Sequence, residues 1–439
     1  MKRVGFITVG CKLNQFETEL MREAALSAGY RPAGHDEAAD VYVVNTCTVT
    51  SKSDYRSRQA LRRAIKANPG ALIVATGCYA QRRPAEIAAI SGVDVVLGNS
   101  EKDEIEAFID LGKQPARPLV KVTAVESLQT VHTRRRLQGF GRYTRAFVKI
   151  QDGCDNRCTY CAVPLARGPS RSKSPDDVKR EIEILTCAGY REVVLTGVHL
   201  GSYGRDLEPR LSLADLVGAL GRVDGLVRLR LSSIEPTDFS DDLIGLMADP
   251  ASKVCPHVHV PLQSGDDRIL ALMGRPYDRA YYRDLVLKIR ESVPRCGIGA
   301  DVIVGFPTED ETAFRSTYDL VNDLPITYLH TFAFSRREST PACALEAQVD
   351  PAAKKKRSSL MRGMGRAKSE AFRASLVGET MDVLVLGARR FGRPVGLSGN
   401  YVKVFLDGGA ARNTLVSAFV TTTVDGGVMA RPCCDPGSA

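Results

Sequence analysis

The stretch Cys154-Asp-Asn-Arg-Cys158-Thr-Tyr-Cys161 places three cysteines on one short loop. The loop directly follows an apolar run, Ala146–Ile150, which predicts a β-strand. Three thiolates at this spacing can hold three irons of a [4Fe–4S] cluster, and with no fourth cysteine nearby one iron stays open to another ligand. The stretch therefore predicts a redox cluster at the carboxyl end of a strand.

The open iron decides what such a cluster can do. S-adenosylmethionine could chelate it through amino and carboxylate groups, and one-electron cleavage of the sulfonium would then yield a 5′-deoxyadenosyl radical. Zinc is the competing metal, but structural zinc sites use four ligands, commonly in two pairs, and the chain has no second Cys-x-x-Cys pair. Tyr160 is expected to cover the cluster against solvent.

Strand-like and helix-like segments continue to alternate after this loop. Six strand–helix units over roughly 190 residues predict a partial parallel barrel, (β/α)6, shorter than the ~250 residues of an eightfold barrel. Its strands are predicted at Ala146–Ile150, Glu192–Thr196, Leu226–Leu231, His257–Pro261, Ile298–Val304 and Tyr328–Phe334. Functional side chains are expected on the loops after these strands.

The first 112 residues repeat the alternation and predict an open parallel α/β sheet. Its strands are predicted at Val4–Val9, Val41–Asn45, Ala71–Thr76 and Val93–Leu97. A cysteine closes each of the first three strands, at Cys11, Cys47 and Cys78. Ligands gather at the carboxyl ends of parallel strands, so these thiols could share one site. The alternative is that each is a small buried side chain.

The predicted organisation has four parts, and the fold class is α/β. An N-terminal domain spans residues 1–112, a linker with Pro115 and Arg134 spans 113–139, the barrel spans 140–370, and a small antiparallel β-barrel spans 371–439. From Pro351 to Ala439 there are 14 Lys/Arg and 6 Asp/Glu, which accounts for most of the net charge of +9. A phosphate-rich partner would explain that excess, and a solubilising basic surface is the alternative.

Cysteine usage and hydropathy bound the cellular context. The chain has 12 cysteines, starts without a signal-like apolar segment and contains no apolar run of transmembrane length. Because reducing compartments keep thiols free, we expect a cytoplasmic protein with no membrane contact, whose clustered cysteines bind metal.

Asp152-Gly153 followed by Cys-x-x-x-Cys-x-Tyr-Cys resembles the radical S-adenosylmethionine superfamily. Later segments resemble the cofactor-binding strands of that superfamily, among them Thr196-Gly-Val-His, Leu231-Ser-Ser-Ile-Glu235 and His259-Val-Pro-Leu-Gln. The resemblance implies contacts to S-adenosylmethionine from Tyr160, Thr196, Gly197, Ser233, Glu235, Gln263, Val304 and Gly305, with the last two offering backbone groups to the adenine.

Gly10-Cys-Lys-Leu-Asn-Gln, Val44-Asn-Thr-Cys and Gly77-Cys-Tyr-Ala-Gln81 resemble the N-terminal domain of the methylthiotransferases. That resemblance implies that Cys11, Cys47 and Cys78 hold a second [4Fe–4S] cluster, and that the reaction is radical insertion of sulfur into an adenosine of tRNA followed by S-methylation. Lys12-Leu13-Asn14 is most similar to the branch that acts on N6-threonylcarbamoyladenosine beside the anticodon.

The C-terminal barrel resembles the RNA-binding TRAM module of the same family, which implies binding of a tRNA anticodon stem-loop. Its expected RNA contacts are Arg389, Arg390, Arg393, Tyr401 and Lys403. The resemblance also implies an electron donor such as flavodoxin or ferredoxin and leaves the sulfur donor open. For Tyr401 the alternative is a hairpin residue packed on a barrel.

Three other functions stay open at this stage. Two keep the chemistry and change the substrate, to isopentenyladenosine in tRNA or to an aspartate of a ribosomal protein. The third is a non-catalytic iron–sulfur protein that binds RNA. Packing explains the isolated cysteines Cys187, Cys255, Cys296 and Cys343, and no function is assigned to Cys433 and Cys434.

Overall fold

A computed structural model of the chain describes residues 1–34, 37–113, 117–128, 131, 135–141 and 143–433. The predicted α/β class is confirmed: an open parallel sheet, a partial parallel barrel and a small closed barrel follow one another along the chain. Pro115 and Arg134 of the predicted linker, and Cys434, lie outside the described residues.

The N-terminal unit is a six-stranded parallel sheet in the order β2-β1-β3-β4-β5-β6. Its central strands are buried along their whole length because helices cover both faces. The strands are β1 (Arg3–Thr8), β2 (Arg31–Pro32), β3 (Val41–Thr46), β4 (Leu72–Gly77), β5 (Val95–Leu97) and β6 (Leu119–Lys121). The helices are α1 (Lys12–Ser27), α2 (Ser51–Ala67), α3 (Cys78–Arg82), α4 (Pro84–Ala88) and α5 (Ile105–Ile109).

The predicted linker is corrected in part. Leu119–Lys121 pairs in parallel with Val95–Leu97 and forms an edge strand of the N-terminal sheet. All three residues of this strand are exposed, so the segment has no apolar alternation from which a strand could be predicted.

The central unit forms a curved array of six parallel strands. Two three-stranded sheets, β11-β10-β7 and β12-β13-β14, are joined through single bridges such as Ser233 to His259. The strands are β7 (Ala146–Lys149), β8 (Gln151–Asp152), β9 (Arg171–Ser172), β10 (Glu192–Thr196), β11 (Arg228–Leu231), β12 (His257–His259), β13 (Gly297–Val304) and β14 (Tyr328–Ala333), of which β8 and β9 form a separate antiparallel pair.

Helices cover the outside of this array and share one apolar core with its strands. They are α6 (Pro164–Arg167), α7 (Pro175–Cys187), α8 (Leu213–Leu220), α9 (Asp241–Ala248), α10 (Asp267–Leu272), α11 (Arg279–Ser292), α12 (Glu311–Asp323) and α13 (Pro351–Ala374). The boundary predicted at residue 370 falls inside α13. Helix α1 of the N-terminal unit packs beside β7 and contributes Phe16 and Leu20 to the core of the central unit.

The C-terminal unit is a closed five-stranded barrel in the order β15-β16-β17-β19-β18. Its strands are β15 (Thr380–Arg390), β16 (Arg393–Ser398), β17 (Lys403–Leu406), β18 (Leu415–Val424) and β19 (Gly427–Pro432). Every pairing is antiparallel except that of β17 with β19, so the predicted antiparallel barrel is correct in its closure and differs in this one pair.

Two buried arginines of β11 join this barrel to the central unit. Arg228 donates to the carbonyls of Leu397 and Asp382, and Arg230 donates to the carbonyls of Ser398 and Gly399 at 3.1 and 2.8 Å. Arg230 is fully buried and also pairs with the buried carboxylate of Glu192, at 2.8 Å. The joint therefore depends on charged donors that bind main-chain acceptors.

Among the described residues, no helix is long and apolar enough to cross a membrane.

Replacing Arg230 with Met should destabilise the protein by about 3–5 kcal/mol, because it leaves two carbonyls without this donor and removes the shortest ion pair of the buried Glu192 carboxylate. Chemical denaturation of the purified variant measures this loss. The same replacement at Arg315, which is exposed on α12, is the control and should change the unfolding free energy by less than about 0.5 kcal/mol. An unchanged unfolding free energy for Arg230→Met would contradict this account of the joint.

Candidate functional site

Cys11, Cys47 and Cys78 follow β1, β3 and β4 at one edge of the N-terminal sheet, and the structure brings them together. A side-chain carbon on Gly10 would lie 3.0 Å from the Cys47 Sγ, so the turn before Cys11 runs directly against Cys47. The thiols are close enough to influence one another electrostatically: burial, and then the neighbouring Cys78, raise the pKa of Cys47 to about 11. Such a convergent set of thiols fits a three-cysteine iron–sulfur site.

Two of these cysteines lie at helix N-termini, where the helix dipole favours negative charge. Cys11 is the residue before α1 and Cys78 is the first residue of α3, and neither helix has a side-chain cap. Gly77, with φ of 95°, makes the turn between β4 and Cys78, and a side chain there would lie 2.4 Å from the Thr46 carbonyl oxygen. The uncapped helix ends suit an anionic thiolate cluster.

Cys154, Cys158 and Cys161 form the second triad, on the loop after β8. Burial raises the pKa of Cys154 to about 12 and that of Cys161 to about 11, and both thiols feel the charge of Cys158. The loop is tied down by backbone hydrogen bonds, from Cys154 to Gly168 at 3.0 Å and from Thr159 to Met273 at 3.0 Å. Because three half-buried thiols are held on one fixed loop, this triad also fits a three-cysteine cluster.

The loop can adopt this conformation only with a glycine at position 153. Gly153 has φ of 74°, and a side-chain carbon there would lie 1.8 Å from the carbonyl oxygen of Pro169. The segment after Cys161 passes so close that any side chain would displace it. Gly153 therefore fixes the approach of the loop to the chain that follows it.

Several residues predicted to contact S-adenosylmethionine lie around the Cys154–Cys161 loop. Glu235 forms a buried ion pair with Arg275, and Arg275 donates to the Sγ of Cys158 at 3.2 Å. Thr196 ends β10 and Gly197 follows it, against the side chain of Gln151. Gln151 in turn accepts from the backbone N–H of His199 at 2.9 Å, and His199 Nδ1 lies 3.8 Å from Cys154 Sγ.

A cavity opens beside this loop, between the central and N-terminal units. Tyr160, Cys161 and Gln263 line it on one side, and Val49 and Thr50, which follow Cys47, line the other. Gln263 adopts a φ of 67°, a strained conformation for a residue with a side chain. The aromatic ring of Tyr160 packs edge-on against Phe306 and stays at the cavity wall. The cavity thus lies between elements that carry the two triads.

The expectation for Val304 and Gly305 is corrected. The Val304 carbonyl already accepts from the Phe334 N–H at 2.8 Å, and the Gly305 N–H donates to Glu309 at 2.8 Å. The space beside Gly305 is filled by the side chain of Lys354. Neither residue lines the cavity, whose wall at this strand is made by Ile303 and Asp301 instead.

A polar cluster surrounds Asp301, which lines the cavity. Its members lie on β12, β13 and β14 and on the segment after β11. Asp301 Oδ1 lies 3.0 Å from His259 Nε2 and 3.1 Å from His330 Nδ1, and Ser233 Oγ lies 2.7 Å from His259 Nδ1. Burial alone would raise the pKa of Asp301, but the two imidazoles lower it to about 2. The cluster offers both donors and acceptors to a polar ligand group.

Sequence reasoning missed a buried ionic network between the N-terminal and central units. Glu17 of α1 pairs with Lys102, Lys149 and Arg167, and Asp152 pairs with Lys149 and Arg167. Burial would raise the pKa of Glu17, but Arg167 and Lys102 hold it well below its usual range. In the sequence these are ordinary charged residues at unrelated positions, and no spacing links them.

The residues expected to bind RNA divide into two groups. Arg389, Arg390 and Lys403 are exposed on the C-terminal barrel, and Arg393 pairs with Asp407 at 2.7 Å. The expectation for Tyr401 is corrected, because its ring stacks on His257 at 4.4 Å and lies 5.2 Å from the Arg230 guanidinium. These contacts occupy the ring in the joint with the central unit, as the packed alternative predicts.

Residues 3–98 match the model of uncharacterized protein family UPF0004, and residues 148–321 match that of the radical SAM superfamily. The chain is 38% identical over 413 residues to the threonylcarbamoyladenosine tRNA methylthiotransferase MtaB of Bacillus subtilis. That alignment covers 93% of this chain and 91% of the Bacillus subtilis protein. It is 36% identical to a tRNA-2-methylthio-N(6)-dimethylallyladenosine synthase of Moorella thermoacetica, over 88% of this chain and 87% of that protein.

Among solved structures, the fold is similar to that of the radical S-adenosylmethionine methyltransferase TsrM of Kitasatospora setae. The TM-score is 0.57 at 17% identity, and the match covers 78% of this chain and 77% of that chain. At this identity the similarity concerns the fold alone.

Gly153→Ala should abolish assembly of the cluster on the Cys154–Cys161 loop, because the new side chain would overlap the Pro169 carbonyl and the required φ is positive. Iron and sulfide analysis of the reconstituted protein measures the loss, which should amount to about half of the total if both triads hold clusters. Gly218→Ala on α8, where nothing lies within 4 Å, is the control and should retain full iron content. Full iron content in Gly153→Ala would show that the close approach is dispensable.

Proposed function

Because the chain belongs to the radical S-adenosylmethionine tRNA methylthiotransferases, we propose that it converts N6-threonylcarbamoyladenosine beside the anticodon to its 2-methylthio derivative. The relatives from Bacillus subtilis, Aquifex aeolicus and Thermotoga maritima, at 37–38% identity, carry names that specify this substrate. Other relatives at 35–38% identity are named for dimethylallyladenosine, so the choice of N6 substituent also depends on the site.

The observation that carries the proposal is one cavity lined by Cys161 of one triad and by Val49 and Thr50, which directly follow Cys47 of the other. Cys154, Cys158 and Cys161 would hold the [4Fe–4S] cluster typical of the superfamily, and Cys11, Cys47 and Cys78 would hold a second one. When bound, these clusters and S-adenosylmethionine supply a radical able to abstract hydrogen from an aromatic C–H, together with a sulfur for insertion and a methyl group. A single cluster of the radical type would not account for the second triad.

The chain's own residues would position these groups. Arg275 binds both Glu235 and Cys158, which places a fixed carboxylate beside the loop where the amino group of S-adenosylmethionine would lie. His199 is held by Gln151 through its backbone and by Asp238 through its ring, at 2.6 Å, and so faces Cys154 in one orientation. Tyr160 would close the cavity wall against water.

The polar cluster around Asp301 favours a substrate with the threonylcarbamoyl substituent over one with the isopentenyl substituent. The threonylcarbamoyl group carries a carboxylate, a hydroxyl and a ureido group, all of which form hydrogen bonds, whereas the isopentenyl group is a hydrocarbon. The Ser233, His259, Asp301 and His330 side chains, which already pair with one another, could extend hydrogen bonds to the former but not to the latter. An aspartate of a ribosomal protein would not use the basic C-terminal barrel.

Arg389, Arg390, Arg393 and Lys403 would contact the phosphates of the anticodon stem-loop. Arg390 and Arg393 already pair with Asp425 and Asp407, at 2.9 and 2.7 Å, so Arg389 and Lys403 have more charge to offer. A flavodoxin or ferredoxin would supply the electron for the clusters. The proposal leaves the chemical source of the sulfur open.

Deleting the gene should remove 2-methylthio-N6-threonylcarbamoyladenosine from digested tRNA and leave N6-threonylcarbamoyladenosine in its place. Liquid chromatography with mass spectrometry of the nucleosides measures both. Unchanged 2-methylthio-N6-threonylcarbamoyladenosine together with loss of 2-methylthio-isopentenyladenosine would show that isopentenyladenosine is the substrate. In a strain with no second enzyme of this type, an unchanged profile would refute the tRNA function.

Two cysteine variants in the deletion strain separate the sites and serve as matched controls for each other. Cys78→Ala should restore no product, yet the purified variant should still cleave S-adenosylmethionine to 5′-deoxyadenosine. Cys158→Ala should lose both activities, because it removes a ligand of the radical-forming cluster. If the wild-type protein forms no 5′-deoxyadenosine when reduced, the non-catalytic alternative holds.

Replacing Arg389 and Lys403 together with Ala should weaken tRNA binding and make it less dependent on salt. Each lost phosphate contact should reduce the slope of log K against log salt by about 1. Binding measured at several salt concentrations gives that slope. Arg222→Ala, at an exposed arginine after α8, is the control and should keep the parent slope.

A further inference from the structure

A single guanidinium reaches the N-terminal triad from the central unit. Arg167 ends α6, just after the Cys154–Cys161 loop, and is 2% exposed. Its Nε donates to the Sγ of Cys78 at 3.3 Å, and its Nη2 donates to Asn14 Oδ1 at 2.9 Å. Asn14 binds the carbonyls of Val9 and Thr46, at 2.7 and 3.0 Å, and so fixes the strand ends that precede Cys11 and Cys47. Arg167 thus contacts the ligand set both directly and through its scaffold.

The same guanidinium is bound to the other triad's loop. Arg167 Nη1 donates to both carboxylate oxygens of Asp152 at 3.1 Å, and Asp152 accepts from the backbone N–H of Gly153 at 2.9 Å. Gly153 directly precedes Cys154. The side chain is therefore held in place by the loop of one triad while it contacts a thiol of the other.

The charges around Arg167 do not cancel. Among the five paired side chains, Arg167, Lys102 and Lys149 face Glu17 and Asp152, which leaves one positive charge. Asp103 lies near Lys149, and Arg171, 4.0 Å from Asp152, also lies near Asp155 and Asp206. A cluster bound by three thiolates is an anion and gains a further negative charge on reduction. Buried positive charge and N–H···S hydrogen bonds both stabilise the reduced form of such a cluster.

We propose that Arg167 is the positioning residue of the Cys11–Cys47–Cys78 site, supplied by the central unit to retain the second cluster and raise its reduction potential. This inference rests on the proposed function, since it requires a cluster at that triad. The central unit thereby completes a site whose ligands all belong to the N-terminal unit.

Arg275 provides the matched comparison. It is also buried, and it donates to the Sγ of Cys158 at 3.2 Å, so each triad has one arginine bound to one of its thiols. Arg275 has no contact with the N-terminal triad among the bonds described for it. Replacing Arg275 should therefore leave the N-terminal cluster unchanged.

The test uses the full chain with Cys154, Cys158 and Cys161 replaced by Ala, so that only the second cluster assembles on reconstitution with iron and sulfide. Iron content and the midpoint potential, followed by electron paramagnetic resonance, are measured in this background and after adding Arg167→Met, Arg167→Lys or Arg275→Met. We expect Arg167→Met to lose iron and to shift the potential to more negative values. Arg275→Met should match the background.

Arg167→Lys keeps the positive charge and provides a second test in case the Met variant does not fold. Its ammonium cannot serve Cys78, Asn14 and the two carboxylates together, so its potential should lie between those of the background and Arg167→Met. A background potential and iron content in Arg167→Lys and in any folded Arg167→Met would overturn the inference. If the background chain itself binds no cluster, the proposed second cluster fails instead, and the two failures are distinguishable.

Discussion

A buried network of two carboxylates and three cations joins the N-terminal sheet to the central barrel, and the geometry of both cysteine sites depends on it. Glu17 is contributed by α1, Asp152 by β8, Lys149 by β7 and Arg167 by α6. Removing one member of such a network leaves the others charged and incompletely paired in a buried region, which costs about 3–5 kcal/mol. In this docking of the two units every member of the network has a partner of opposite charge.

The fold was largely accessible from sequence because its central strands are buried on both faces. Runs such as Val41–Thr46 and Leu72–Gly77 are buried throughout and each begin with four apolar residues, and the helix between them has clear periodicity. The edge strands β2 and β6 were not predicted, since they are two and three residues long and exposed. The parallel pairing of β17 with β19 was also missed, because pairing depends on barrel closure and leaves no local pattern.

The site was accessible only where chemistry is local. Cys154, Cys158 and Cys161 share one loop, and the other cysteines each end a strand, so their positions could be predicted from spacing and strand order. Arg167 and Arg275 could not be, because a long cationic side chain can reach a thiol from many sequence positions. Tyr401 shows the converse: an aromatic residue on a basic hairpin suggests nucleic acid, but its partner His257 lies 144 positions earlier and is invisible locally.

Arg228 and Arg230 bind the C-terminal barrel through the carbonyls of Asp382, Leu397, Ser398 and Gly399. Every amino acid offers the same carbonyl, so most substitutions on that barrel would leave the joint's acceptors intact. Side chains on its outer surface can therefore change without altering the hydrogen bonds that hold it to the central unit. The position of the C-terminal barrel relative to the central unit is thus set by main-chain groups, and its surface side chains can vary independently of that position.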